Sequence, residues 1–125
     1  MKVAILGASP KPERYSHKAQ RLLEDFGHET FPISLAGEDI LGRTGYRSIQ
    51  EIPEEERPIH TVTVYLAPER FAEVIDDVIQ FHPGRVILNP GTESPESTEL
   101  LRDAGIHVVE ACTLVILGTG EFETI

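Results

Sequence analysis

Apolar positions in this chain alternate between short runs and helical stripes from one end to the other. Residues 2–6 (KVAIL) form a β-branched and aliphatic run ended by Gly7, the pattern of a buried strand. From Ser16 onward Ala19, Leu22, Leu23 and Phe26 fall at i, i+3, i+4 and i+7, one face of a helix, and Gly27 stands where the helix end favours a left-handed residue. HETFPIS (28–34) alternates as a strand does, with Pro32 placed near its end because an interior proline forfeits a ladder hydrogen bond. Gly37, Gly42 and Gly45 mark an irregular connection over 35–47, and RSIQEI suits a single helical turn before Pro53. IHTVTVYL (59–66) is the clearest strand and PERFAEVIDDVIQFH (68–82) the clearest helix, with Phe71, Val74, Ile75, Val78 and Ile79 on one face and Pro68 in the first turn. RVILN (85–89) reads as a fourth strand. SPESTELLRDAG (94–105) reads as a helix capped by Ser94, with Pro95 first and Gly105 past its end, and IHVVEA follows as a fifth strand. The tail CTLVILGTGEFETI has enough apolar residues to cover a sheet edge or, in a homodimer, to pack against a second copy.

Strand and helix alternate through short connections, so right-handed crossovers predict an α/β three-layer sandwich around a five-stranded parallel sheet, with the order 3-2-1-4-5. The short, continuously apolar strands agree, because a sheet covered on both faces has no polar face to display. Ligands in such sheets bind beyond the carboxyl ends of the strands where the winding reverses, which that order places between the first and fourth strands. The walls are then the segments leaving each strand: 7–16, 33–37, 66–68, 89–94 and 110–112.

Composition narrows the partners. A chain of 125 residues suits one domain over 1–125, and 40% hydrophobic residues are too many for a disordered chain. No apolar run approaches the roughly 20 residues of a membrane span, and MKVAIL has neither the length nor the cleavage site of a secretory signal, so a cytoplasmic location is expected. The single Cys112 has no disulfide partner, and five scattered histidines offer no metal-binding pair. A net charge of −10 argues against nucleic acid and anionic membranes as partners. That charge is unevenly spread: residues 1–23 hold Lys2, Lys11, Arg14, Lys18 and Arg21 against Glu13 alone.

The basic segment coincides with the first strand-to-helix connection, which is long and holds Pro10 and Pro12. Gly7 lets the backbone turn and be approached closely; Ala8 and Ser9 continue the turn with backbone N–H groups and a hydroxyl; Ser16 brings the positive end of a helix dipole. These are the parts of an anion cradle. The pattern G-A-S lacks the later glycines of G-x-G-x-x-G, and Lys11 and Arg14 supply as charge what those glycines supply as backbone approach. Asn89 before Pro90 and Gly91 either donates to a ligand or sets a turn. Tyr15 either stacks on an adenine ring or staples the helix entry, and Cys112 is either a small buried hydrophobe or a reactive thiol. Glu93 and Glu110 both sit at strand ends, but no nucleophile and base stand at a readable spacing, so binding rather than catalysis is expected.

The stretch VAILGASPKPERYSHKAQRLLEDFGHETFPI resembles the opening of the small stand-alone CoA-binding domain proteins, relatives of the nucleotide-binding domain that begins the succinyl-CoA ligase alpha subunit. The likeness continues through VYLAPERFAEVIDDVI and VILNPGTESPESTELLRDAGIHVVEAC, and G-A-S-x-x-x-x-R-Y-S is its most specific part. It implies a Rossmann-like domain that holds the diphosphate of coenzyme A, or of a similar nucleotide, against Gly7, Ala8 and Ser9, with Lys11, Arg14, Tyr15 and Ser16 closing over it. Ser34, Pro68, Asn89, Gly91 and Cys112, at other strand exits, complete the candidate contacts. The chain departs from the family pattern at three places: Ser34 or Leu35 stands for an asparagine, Leu66 and Ala67 precede Pro68 where an arginine is frequent, and Ala111 precedes Cys112 where arginine is frequent. Three readings stand. The first is a non-catalytic module for CoA, acyl-CoA or an adenine nucleotide. The second is a small NAD(P)-dependent oxidoreductase or transferase, disfavoured by the incomplete glycine motif and by the lack of an acid after HETFPIS to read a ribose. The third, which the three departures favour, is an interaction protein that kept the fold without the ligand. A ligase of the succinyl-CoA type is not expected in a chain too short for a second, catalytic domain.

Overall fold

The computed structural model describes residues 1–125. Five parallel strands, β1 (Lys2–Leu6), β2 (Glu29–Ile33), β3 (Thr61–Val64), β4 (Arg85–Leu88) and β5 (His107–Glu110), form one sheet. Four helices flank it: α1 (Tyr15–Asp25), α2 (Pro68–Phe81), α3 (Pro95–Asp103) and α4 (Thr113–Gly118). The fold is the expected Rossmann-like α/β sandwich. The helical turn foreseen before Pro53 is a 3-10 turn at Ile49–Glu51. The third helix is capped as its sequence predicts, Ser94 Oγ accepting from the Ser97 N–H at 3.1 Å.

The strand order is β2-β1-β3-β4-β5, which corrects the expected 3-2-1-4-5. Proline explains the difference. In the expected order β2 would lie between two strands, and Pro32, which has no N–H, would interrupt a ladder there; at the edge it pairs only with Ile5 of β1. The outer side of β2 is closed by Tyr46, which donates its N–H to Pro32 O and accepts from Ser34 N–H, both at 3.0 Å. The chain then returns across β1 to β3, so the winding reverses between β1 and β3 rather than between the first and fourth strands. At the opposite edge β5 has only β4 as a neighbour, and its end residues His107 and Glu110 are exposed.

Alternation along the strands divides the core in two. Ala4, Leu6, Val62, Val64, Val86 and Leu88 face Phe71, Ile75 and Val78 of α2 and Leu101 of α3, and Ile49, Ile52 and Ile59 of the long connection close this layer. Val3, Ile5 and Ile87 face the other way, against Leu23 of α1 and against Ile116, Leu117 and Phe122. The apolar tail therefore covers a sheet face, where α4 packs against α1. Buried Arg85 holds its end: Nη1 donates to Phe122 O at 2.6 Å, and the guanidinium lies 4.6 Å from the Phe122 ring centre.

Candidate functional site

The first wall of the site depends on Gly7. Its φ is +93°, and a Cβ there would lie 3.0 Å from the Tyr65 carbonyl carbon and 3.1 Å from Leu66 Cδ2. Only glycine lets the exit of β1 press so closely on the exit of β3. The N–H groups of Gly7 and Ala8 both donate to Ile33 O, at 3.0 and 2.9 Å, and lock the turn to the end of β2, so the Ala8 N–H that the sequence offers to an anion is already engaged.

Beyond the turn the loop is fastened back onto the helix it leads to. Ser9 Oγ accepts from the Lys11 N–H at 3.1 Å, and Ser9 O lies 2.9 Å from Nδ1 of buried His17. A carbonyl partner requires the proton on Nδ1, leaving Nε2 to accept from Arg21 Nη2 at 3.3 Å. His17 thus holds the loop against α1. The helix itself starts at Tyr15, one residue earlier than its periodicity suggests, with Arg14 at the N-cap. No side chain caps it and its first turn holds no acid. The N–H groups of that turn have no intrahelical acceptor, and the helix dipole gives them positive character. Lys11 and Arg14 are exposed and neither is paired with a carboxylate, although acidic residues outnumber basic ones in the chain. Tyr15 is 70% exposed, and the Lys18 ammonium lies 5.4 Å from its ring centre.

A cavity of about 470 Å³ opens where β1 and β3 diverge and brings together seven of the anticipated residues: Gly7, Ser9, Lys11, Arg14, Tyr15, Ser16 and, from the β4 exit, Gly91. Ala8 and Ser34 line a second groove of about 220 Å³ that shares Gly7 and Leu66 with the first. Pro68, Asn89 and Cys112 line neither. Pro68 opens α2, and Cys112 is the half-buried N-cap of α4. Asn89 is 2% exposed, and its whole carboxamide is engaged beneath the cleft: Nδ2 donates to Thr63 Oγ1 at 2.7 Å and to Val64 O at 2.9 Å, while Oδ1 accepts from Thr113 N–H at 2.8 Å. It joins the ends of β3 and β4 to the start of α4, a third role beside the two that sequence offered.

Tyr65 also lines the larger cavity and escaped the sequence reading. Thr61, Thr63 and Tyr65 share a face by strand alternation, and that signal places Tyr65 at the mouth of β3. Its hydroxyl is buried and has no hydrogen-bond partner. Burial pushes its pKa up to about 12, so the phenol stays protonated at neutral pH.

A Rossmann-like α/β domain with a cleft at its switch point is the class defined by this geometry. The sequence model of the CoA binding domain family matches residues 1–118, and the chain belongs to that family. An uncharacterized protein, YneT, from Bacillus subtilis is 25% identical over 86% of this chain and 78% of its own. Acetate–CoA ligase (ADP-forming) II subunit alpha from Pyrococcus furiosus is 22% identical over 94% of this chain, which spans only 27% of that subunit. Among solved structures, the Thermus thermophilus protein cell-free ID.343 superposes with a TM-score of 0.87 at 28% identity, covering 97% of this chain and 90% of its own. No helix is long and apolar enough to cross a membrane.

Proposed function

We propose that the protein binds coenzyme A or an acyl-CoA, with the diphosphate at the cavity between β1 and β3, and that it does so without catalysing a reaction. The carrying observation is the pairing of two carboxylate-free cations, Lys11 and Arg14, with the uncapped start of α1 at the switch point. Family membership and the likeness to a CoA ligase subunit support CoA as the diphosphate ligand. The residues suit such a group: Gly7 lets the exits of β1 and β3 close together beside the cavity, the uncapped first turn of α1 offers N–H groups to a diphosphate, and Lys11 and Arg14 would neutralise its charge. When bound, CoA supplies a thiol that carries acyl groups as thioesters. The residues of this chain bind and orient the nucleotide end. A nicotinamide dinucleotide is a poorer match, because Ser34 and Leu35 follow β2 where an acid would read its ribose.

The test is a thermal-shift screen of the protein and of Arg14→Ala against CoA, acetyl-CoA, ATP, ADP, NAD and NADP. A ligand at about 100 times its Kd stabilises the fold by about 2.7 kcal/mol, a rise of several degrees for a domain of this size. The reading requires a rise with CoA compounds that is reduced in the variant. A rise with NAD or NADP alone, or none with any nucleotide, overturns it.

A further inference from the structure

The basic loop is tied to the rest of the fold at one point. Residues 10–14 are all exposed, so no core packing holds them. Two of its bonds are local turns: Ser9 Oγ accepts from the Lys11 N–H, and Lys11 O accepts from the Arg14 N–H, both at 3.1 Å. From Ser9 to Glu13 the one hydrogen bond that leaves the loop joins Ser9 O to His17 Nδ1 at 2.9 Å. The ring that makes it is 5% exposed and faces a groove of about 210 Å³ between α1 and Leu114 of α4, which Lys18 and Arg21 also line. Neither His17 nor Arg21 lines the cavity at which Lys11 and Arg14 stand. Arg21 Nη2 can only donate, so its contact with Nε2 selects the tautomer that carries the proton on Nδ1. The other tautomer would turn a lone pair on Ser9 O.

We propose that His17 is a positioning residue for the ligand: it holds Ser9 so that the loop presents Lys11 and Arg14 at the cavity before a diphosphate arrives. The inference rests on the diphosphate reading of that cavity. An exposed loop released from its one fastening samples many conformations, and ordering even one residue again on binding lowers affinity about tenfold. Pro10 and Pro12 stiffen the loop internally but do not fix where it lies against α1; the imidazole does. Arg21 serves the ligand without touching it, by keeping the proton on the nitrogen that faces Ser9.

Two amide side chains separate the two ring nitrogens. Asparagine places a donor where Nδ1 stands and glutamine places one where Nε2 stands, so His17→Asn can keep the bond to Ser9 O and His17→Gln cannot. Calorimetric titration with CoA and with ADP should find His17→Asn within about threefold of the wild type and His17→Gln weaker by about tenfold or more. Wild-type affinity in both variants, an equal loss in both, or the reverse order overturns the proposal, because packing of the helix alone does not tell the two amides apart in this way. If either variant fails to fold, the unaltered protein still decides: in mildly alkaline buffer the ¹⁵N resonances of the His17 ring should be those of the Nδ1–H tautomer, and a proton on Nε2 overturns the fastening. A wild-type protein that binds CoA but fails these tests leaves the diphosphate cavity standing. A wild-type protein that binds neither CoA nor ADP overturns the cavity reading and the role of His17 with it.

Discussion

Asn89 and Tyr65 lie close together under the cleft and present opposite cases for a buried polar group. Asn89 makes three hydrogen bonds with strong geometry, so Asn89→Ala strands the Thr113 N–H and Val64 O and should cost about 2 to 4 kcal/mol. Urea denaturation checks this: the midpoint should drop with the slope unchanged. The Tyr65 hydroxyl has no partner to lose, and Tyr65→Phe should leave stability unchanged or slightly raised in the same assay. At Gly7 the constraint is backbone conformation. Gly7→Ala forces a side chain into φ +93° and against Tyr65, and should cost about 2 kcal/mol or more while also displacing the cradle. The glycine, the two loop cations and the helix start were legible in the sequence because each is a local signal. The role of Asn89 was not, because its three partners lie 24 to 26 residues away and come together only when β3, β4 and α4 pack.

Elements are joined here by a few charged or aromatic fastenings, and two of them can be tested. Glu24 of α1 accepts from Thr30 N–H at 3.0 Å, Thr30 Oγ1 at 2.7 Å and both nitrogens of the Arg43 fork, linking the helix to β2 and to the connection that follows. Burial opposes its charge, but the bonds from Arg43 and Thr30 outweigh burial and hold its pKa below the ordinary 4.5. A lowered carboxylate pKa gives stability that is full above 4.5 and is lost as pH falls through the folded value. Glu24→Gln should therefore flatten the acid limb of a stability–pH curve. Phe122 is the second fastening. It is 2% exposed against Arg85 and His28, and Phe122→Ala should cost about 3 to 5 kcal/mol in chemical denaturation by releasing the tail. Strand and helix positions are readable from periodicity, whereas the tail's sequence suits an edge and a second copy equally. Its apolar spacing shows that a face must be covered and does not show which one.

Across the whole molecule the strand order was the feature least visible beforehand, because the long connection after β2 has no helical stripe to show which way it crosses. Pro32 carried the answer, as a residue that suits an edge strand. The opposite pole from the cleft sets the behaviour in mild acid. His28 and His60 lie there near Arg85 and the N-terminal ammonium; burial first, then these positive charges, lower both pKa values from 6.5, with Glu123 partly opposing at His28. For a base with a lowered folded pKa, stability is full above 6.5 and is lost as pH falls through the folded value. Thermal midpoints should begin to fall below about pH 6.5, before the Glu24 limb, and His28→Gln should reduce that early slope. The two sheet edges have a separate consequence. One presents proline and is bridged by Tyr46; the other is four residues long with exposed His107 and Glu110 at its ends. Neither offers the long, flat, apolar margin on which a foreign strand polymerises, so folded molecules should be poor seeds for fibrils.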